Sequence, residues 1–132
     1  MIFLGLDVGS ERIGLAVSQS GIIAEPAGSF SYVDRDAAID RIQDEVVQHH
    51  ADVVVVGLPY RRDGSLGEHG QAIMIFVEAL RERLQPRSVF TTDEALTSKE
   101  AERLGGKTAD HDALAAALIL EQYLREHPSE LA

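Results

Sequence analysis

The chain has 132 residues, 45% of them hydrophobic, which suffices for one domain with a substantial core. It has no cysteine, which excludes a disulfide framework and thiolate chemistry, and no apolar stretch approaches the ~18 residues of a membrane span. The net charge of −10 argues against nucleic-acid binding over the whole surface, but residues 57–107 are neutral, with eight basic and eight acidic side chains. We expect one cytoplasmic domain over residues 1–132, with any phosphate-binding surface in this middle segment.

Three strands with short turns open the chain, at residues 2–7, 12–18 and 22–33. The third contains Pro26, which cannot donate to a β-ladder and therefore predicts a strand at the edge of the sheet. A helix follows at 36–50, where apolar residues recur with helical spacing. The β-branched run at 52–56 does not alternate with polar residues, which is typical of a strand buried on both faces in a parallel sheet.

The second half of the chain alternates helices with strands. The pattern predicts a loop at 58–67, a helix at 68–84, a strand at 88–92, a short helix from the Thr97–Glu100 capping box to Gly105-Gly106, and a final helix at 111–126. Right-handed crossovers between parallel strands then give the strand order 3-2-1-4-5. The predicted fold class is therefore α/β, with a five-stranded mixed sheet and flanking helices.

Acidic residues cluster where this topology brings element ends to one edge of the sheet. Asp7 ends the first strand, Asp93 and Glu94 follow the fifth, and Asp110 and Asp112 begin the final helix. Sites in open α/β sheets form outside the carboxyl ends of parallel strands, and neighbouring carboxylates repel each other unless a cation offsets them. Oxygen ligands suit Mg²⁺ or Mn²⁺, and a pair of such ions can hydrolyse a phosphodiester. The pattern predicts a divalent-metal site.

Each acid also has an ordinary structural interpretation. Asp7 could cap the Gly9-Ser10 turn, and Asp110 occupies the position of a helix N-cap, which we favour for it. Asp112 differs, because Ala115-Ala116 follow it at helical spacing and place it on the packed face of the helix. An acid on the packed face of a helix is better explained as a metal ligand than as a solvent-exposed residue of the first helical turn.

The loop Gly57–Gly67 carries features that suit phosphate. It combines Arg61 and Arg62 with backbone amides and the start of a helix, but lacks the Gly-Lys-Ser/Thr ending of a nucleotide P-loop. Alternatively, the loop only connects a strand to a helix, and its glycines allow the backbone to turn. The histidines show no ligand spacing, and His69 is expected on the surface. The expected substrate-binding residues are Ser10, Arg12, Arg61, Arg62, Lys99, Arg103 and Lys107.

Four motifs, in order and spanning nearly the whole chain, resemble the YqgF-type or RuvX-like family: GLDVGSERIGLAVS, VVGLPYRRDGSLG, DEALTSKEAE and DALAAALILEQYL. The resemblance implies an RNase H-like fold and a cytoplasmic, metal-dependent nuclease that matures the 5′ end of pre-16S rRNA or cleaves Holliday junctions. The family's catalytic acids carry over to Asp7, Glu94 and Asp112, where the Asp-x-x-Ala-Ala spacing selects Asp112. Asp93 and Asp110 remain reserve ligands.

The third motif departs from the family pattern, which usually reads Asp-Glu-Arg-Leu-Thr-Thr. Ala95 replaces the Arg and Ser98 replaces the second Thr. The resemblance implies that the absent Arg would contact a phosphate or form an internal ion pair, and we hypothesise that Arg61 and Arg62 compensate in part. In the predicted order, strand five lies two strands from strand one, with ~10 Å between their axes. Strand four, between them, ends in Gly57 and offers no acid, so Glu94 must reach back across it or the loop must curl inward. We expect Asp7 and Asp112 to lie close together and Glu94 to lie farther out.

Three functions fit the sequence. The first, which we favour, is a Mg²⁺- or Mn²⁺-dependent nuclease for structured RNA or branched DNA, for which a homodimer would suit cleavage of two strands. The second is an actin-like nucleotide-binding module, since Asp-x-Gly-Ser also opens phosphate loops there, although those proteins duplicate the module and this chain supplies one copy. The third is a non-catalytic module that binds nucleic acid or ribosome-assembly factors.

Overall fold

A computed structural model of the protein describes residues 1–94 and 110–128. These residues form five strands, β1 (Phe3–Val8), β2 (Arg12–Ser18), β3 (Glu25–Ser31), β4 (Val53–Leu58) and β5 (Ser88–Asp93), and three helices, α1 (Arg35–His49), α2 (Glu68–Leu84) and α3 (His111–Glu126). No helix within the described ranges is long and apolar enough to cross a membrane. The predicted short helix between Thr97 and Gly106 lies outside them.

The strand order is β3-β2-β1-β4-β5, which confirms the predicted topology. β1 pairs with β2 antiparallel and with β4 parallel, and β5 pairs with β4 parallel. β4 is buried along its whole length, as its β-branched run predicted. The carboxyl ends of β1, β4 and β5 therefore meet at one edge of the sheet.

β3 is an edge strand, as Pro26 predicted, but it is shorter than the predicted 22–33. The hydroxyl of Ser20 accepts hydrogen bonds from the backbone amides of Ile22 and Ile23, at 3.0 and 3.1 Å. A side chain that engages nearby backbone in this way offers it an alternative to the ladder. The Ser20 turn therefore delays the start of β3 to Glu25 and leaves both isoleucines exposed.

Side-chain alternation along the strands gives the sheet two covered faces. Leu4, Leu6 and Val8 belong to the core shared with α1 and α2. Phe3, on the other face of β1, belongs to the core shared with α3. Asp7 has the same parity as Phe3 and therefore lies on the α3 face.

The N-terminal turn of α3 lies directly on β2. A Cβ atom at Gly14 would lie 1.9 Å from the carbonyl oxygen of Asp112 and 3.0 Å from the amide nitrogen of Ala113, so no side chain fits there. Ala113 and Ala116 of α3 are both buried. Small residues on both surfaces thus allow the close approach that fixes where α3 begins.

We expect Gly14→Ala to lower the free energy of unfolding by about 3 kcal/mol, because its Cβ would meet helix backbone that cannot move aside like a flexible side chain. Gly64→Ala is the matched control, since a Cβ there meets nothing within 4 Å and strains only the positive φ of 86°. That strain costs about 1 kcal/mol. Urea unfolding measures both variants, and equal losses would contradict the close packing at Gly14.

Candidate functional site

Asp7 lies between two glycines on the neighbouring strands. Gly14 of β2 is its antiparallel partner, and the pairing of Leu6 with Val56 brings Gly57 of β4 level with it on the other side. Both glycines face α3, as Asp7 does, because a Cβ at Gly14 would meet Asp112 and one at Gly57 would meet Ile119. The two missing side chains leave space on each side of the Asp7 carboxylate.

Glu94 fills the space above Gly57. Its backbone amide donates to the carbonyl oxygen of Leu58 at 3.0 Å, which extends the β4–β5 pairing by one residue. A Cβ at Gly57 would lie 2.7 Å from Glu94 Oε2, so the carboxyl group crosses β4 directly over the glycine. There it is hydrogen-bonded to Asp7. The expectation that Glu94 lies farther out was wrong, because a strand without a side chain at the crossing point does not separate the two acids.

The contact between Asp7 and Glu94 shifts the pKa of both groups. Burial raises the pKa of Asp7, and the nearby Asp112 carboxylate raises it further, whereas the hydrogen bond with Glu94 and the proximity of His69 lower it. Burial, followed by the negative charge of Asp7, raises the pKa of Glu94 to about 8. With no cation present at neutral pH, Glu94 therefore keeps its proton and donates it to the Asp7 carboxylate.

Asp112 lies on the other side of Asp7, with its backbone above Gly14. Its side chain, however, accepts a hydrogen bond from Arg12 Nε at 2.8 Å and so is paired with β2. Asp112 therefore lies near Asp7, as expected, but the hydrogen-bond partner of Asp7 is Glu94 and that of Asp112 is Arg12. Within residues 1–94 and 110–128, no three His, Cys, Asp or Glu side chains are grouped to hold a metal ion.

Arg12 links β2, β3 and α3. Besides Asp112, its guanidinium donates to Ser29 Oγ at 2.7 Å and to Ser31 Oγ at 3.3 Å. The Ser29 hydroxyl in turn donates to Asp110 Oδ2 at 2.9 Å, while Asp110 Oδ1 accepts from the amide of Ala113 at 3.1 Å. The N-cap interpretation of Asp110 is confirmed. Arg12, expected at the substrate, is engaged within the protein.

The remaining candidate residues are exposed or lie outside the described residues. Asp93 is exposed and strand alternation puts it on the face opposite Glu94, but its negative charge contributes to the raised pKa of Glu94. Ser10, Arg61 and Arg62 are exposed. Lys99, Arg103 and Lys107, together with the departures at Ala95 and Ser98, lie outside the described residues.

Two features of the site were missed from the sequence. His69, expected as an ordinary surface residue, is exposed but close enough to Asp7 to lower its pKa. It follows the loop that leaves the carboxyl end of β4, and that position was the available signal. The role of Gly14 and Gly57 in making room beside Asp7 was also missed, although the register of the first hairpin would have paired Asp7 with Gly14.

A family model described as "RuvX: Holliday junction resolvase" matches residues 1–126 of the chain. A protein of Thermoanaerobacter pseudethanolicus named "Putative pre-16S rRNA nuclease" is 37% identical over 134 residues, which cover 94% of this chain and 96% of that protein. A protein of Trichormus variabilis with the same name is 38% identical over 130 residues, which cover 92% of this chain and 85% of its own. Each match therefore spans nearly all of this chain and most of the length of the relative.

Solved structures share the fold at low sequence identity. RuvC of T. thermophilus in complex with a Holliday junction substrate has a TM-score of 0.64 and 15% identity, covering 98% of this chain and 96% of its own. The Fowlpox virus resolvase in complex with Holliday junction DNA has a TM-score of 0.60 and 10% identity, covering 96% and 98%. The RNase H-like fold implied by the four motifs is confirmed, and the chain belongs to the RuvX family of nucleases.

Proposed function

We propose that the protein is a divalent-metal-dependent endonuclease that hydrolyses a phosphodiester of pre-16S rRNA in the cytoplasm. The observation that carries the chemistry is the Asp7–Glu94 pair, two carboxyl groups in contact at the carboxyl edge of the sheet with Asp112 beside them. The names of the relatives support the rRNA substrate. Branched DNA is the second candidate, which the description of the family favours.

The donor set fits a hard divalent cation. The two carboxyl groups supply oxygen ligands of the kind that Mg²⁺ and Mn²⁺ take, and at neutral pH they stay in contact only by retaining a proton. A cation would offset both charges and replace that proton. Asp7 and Glu94 would hold the ion, with Asp112 completing the set. When bound, the ion would supply an activated water and charge stabilisation for hydrolysis.

The loop between β4 and α2 is the proposed phosphate-binding surface. It leaves the sheet at Leu58, next to the backbone of Glu94, and therefore begins at the acidic site. Arg61 and Arg62 are exposed and form no ion pair with any residue in the described ranges. We propose that both arginines and Ser10 contact substrate phosphates. The homodimer remains a prediction that analytical ultracentrifugation can test.

We expect Asp7→Asn to reduce cleavage at least about 100-fold with the fold retained, because the amide supplies no negative charge for the cation. The assay combines pure protein, Mg²⁺ or Mn²⁺, and pre-16S rRNA, a four-way DNA junction and plain duplexes. Asp110→Asn is the matched control, since asparagine caps a helix as well as aspartate does, and should stay active. Full activity of Asp7→Asn, or cleavage of none of these substrates by the wild type, would contradict the proposal.

Charge reversal of Arg61 and Arg62 to glutamate should weaken substrate binding at least about tenfold. The slope of log affinity against log salt should fall by about one for each phosphate that the arginines no longer neutralise. Arg125→Glu is the control, because Arg125 lies in the last turn of α3, about 20 Å along the helix from Asp112. Fluorescence anisotropy with labelled RNA measures both quantities, and unchanged affinity would reject the role of the loop.

Glu94→Gln should stabilise the metal-free protein increasingly as the pH rises from 5 to 8. The folded protein holds the Glu94 proton up to a pKa of about 8, compared with an ordinary value of 4.5. The stability contributed by the protonated group is therefore complete below pH 4.5 and is lost as the pH rises towards 8. The side-chain amide of glutamine does not titrate, so the variant does not lose this stability as the pH rises. Urea unfolding in EDTA at each pH gives the difference between variant and wild type, and a difference independent of pH would refute this linkage.

A further inference from the structure

We propose that Arg12 and the divalent cation compete for the carboxylate of Asp112. Arg12 is thus a positioning residue, which holds the third acid away from the Asp7–Glu94 pair until a cation binds there. The inference rests on the proposed function, since it takes Asp7 and Glu94 as the residues that hold the ion.

The backbone of Asp112 is already in place for such an exchange. It lies above Gly14, the β2 partner of Asp7, where even a Cβ would clash with it. The Asp112 carboxylate is close enough to Asp7 to raise its pKa, yet its oxygen accepts from Arg12 Nε. Because the backbone is fixed by packing, rotation of the Asp112 side chain decides which of the two it contacts.

Arg12 cannot follow Asp112 into the site. Its other guanidinium nitrogens donate to Ser29 and Ser31 on β3, so the group is held on the side of β2 that is away from β1. The Arg12–Asp112 bond must therefore break when Asp112 turns towards Asp7. The two side chains are 52% and 38% exposed, and ion pairs of this kind change an equilibrium constant by no more than about fivefold. The free energy lost with the Arg12–Asp112 pair is therefore small enough for the binding of a cation to offset it.

The test measures Mn²⁺ affinity of the full chain at constant ionic strength, from the electron paramagnetic resonance signal of free Mn²⁺. Arg12→Gln should bind Mn²⁺ about two- to fivefold more tightly than the wild type, because Asp112 is no longer paired. The same substitution in an Asp112→Asn background should change the affinity less than it does in the wild type. This second background is needed because removal of any nearby positive charge would favour a cation, with or without Asp112.

The matched control is Ser29→Ala combined with Ser31→Ala, which removes the hydrogen bonds of Arg12 to β3, together with that of Ser29 to Asp110, and leaves the charged pair of Arg12 and Asp112 in place. Its Mn²⁺ affinity should stay within about twofold of the wild type. Thermal unfolding checks that each variant is folded, and Arg12→Met, which keeps the length of the side chain without its charge, replaces Arg12→Gln if that variant does not fold.

Unchanged or weaker Mn²⁺ binding by Arg12→Gln would overturn the competition and leave the proposed function standing. Equal tightening in the wild-type and Asp112→Asn backgrounds would also overturn it, because the effect would then be one of net charge. Failure of the wild type itself to bind Mn²⁺ would overturn the proposed function, and the competition with it. The three results are distinguishable in one set of titrations.

Discussion

The geometry of the site depends on the absence of side chains at Gly14 and Gly57. Asp7 lies on the central strand of the sheet, where its neighbours would ordinarily carry side chains on the same face. With glycine on both sides, the backbone of Asp112 can lie directly on β2 and the side chain of Glu94 can cross β4. Acids that are distant in the sequence therefore converge on the central strand of the sheet.

The close approach of these carboxyl groups lowers the stability of the folded protein. Burial and the charge of Asp7 raise the pKa of Glu94 to about 8, so folding without a cation retains a proton that an exposed glutamate would release. An apolar residue in place of Glu94 would avoid that cost, which is why an arrangement of this kind indicates function rather than packing. Among the described residues, Arg12 forms an ion pair with Asp112, whereas Asp7 is near His69, whose charge lowers the pKa of Asp7.

The sequence was informative where periodicity or backbone chemistry decides structure. The uninterrupted β-branched run located β4 in the interior, Pro26 located β3 at the edge, and the final helix was predicted at its observed bounds. Prediction failed for Glu94, because the distance between strand axes does not report the reach of a side chain over a glycine. The sequence also carries no sign that the Arg12 guanidinium is paired with the Asp112 carboxylate, because the two residues lie 100 positions apart in the chain.

Two acids at the start of α3 show how neighbouring residues of one type acquire different roles. Asp110 precedes the helix, so one of its oxygens accepts from the helix amide of Ala113 and the other from Ser29. Asp112 is two residues further, where the helical turn carries its side chain round towards β2 and Arg12. The cap fixes the helix start, and the fixed start in turn holds the Asp112 backbone over Gly14. Through this cap, Asp110 helps to set the position of Asp112.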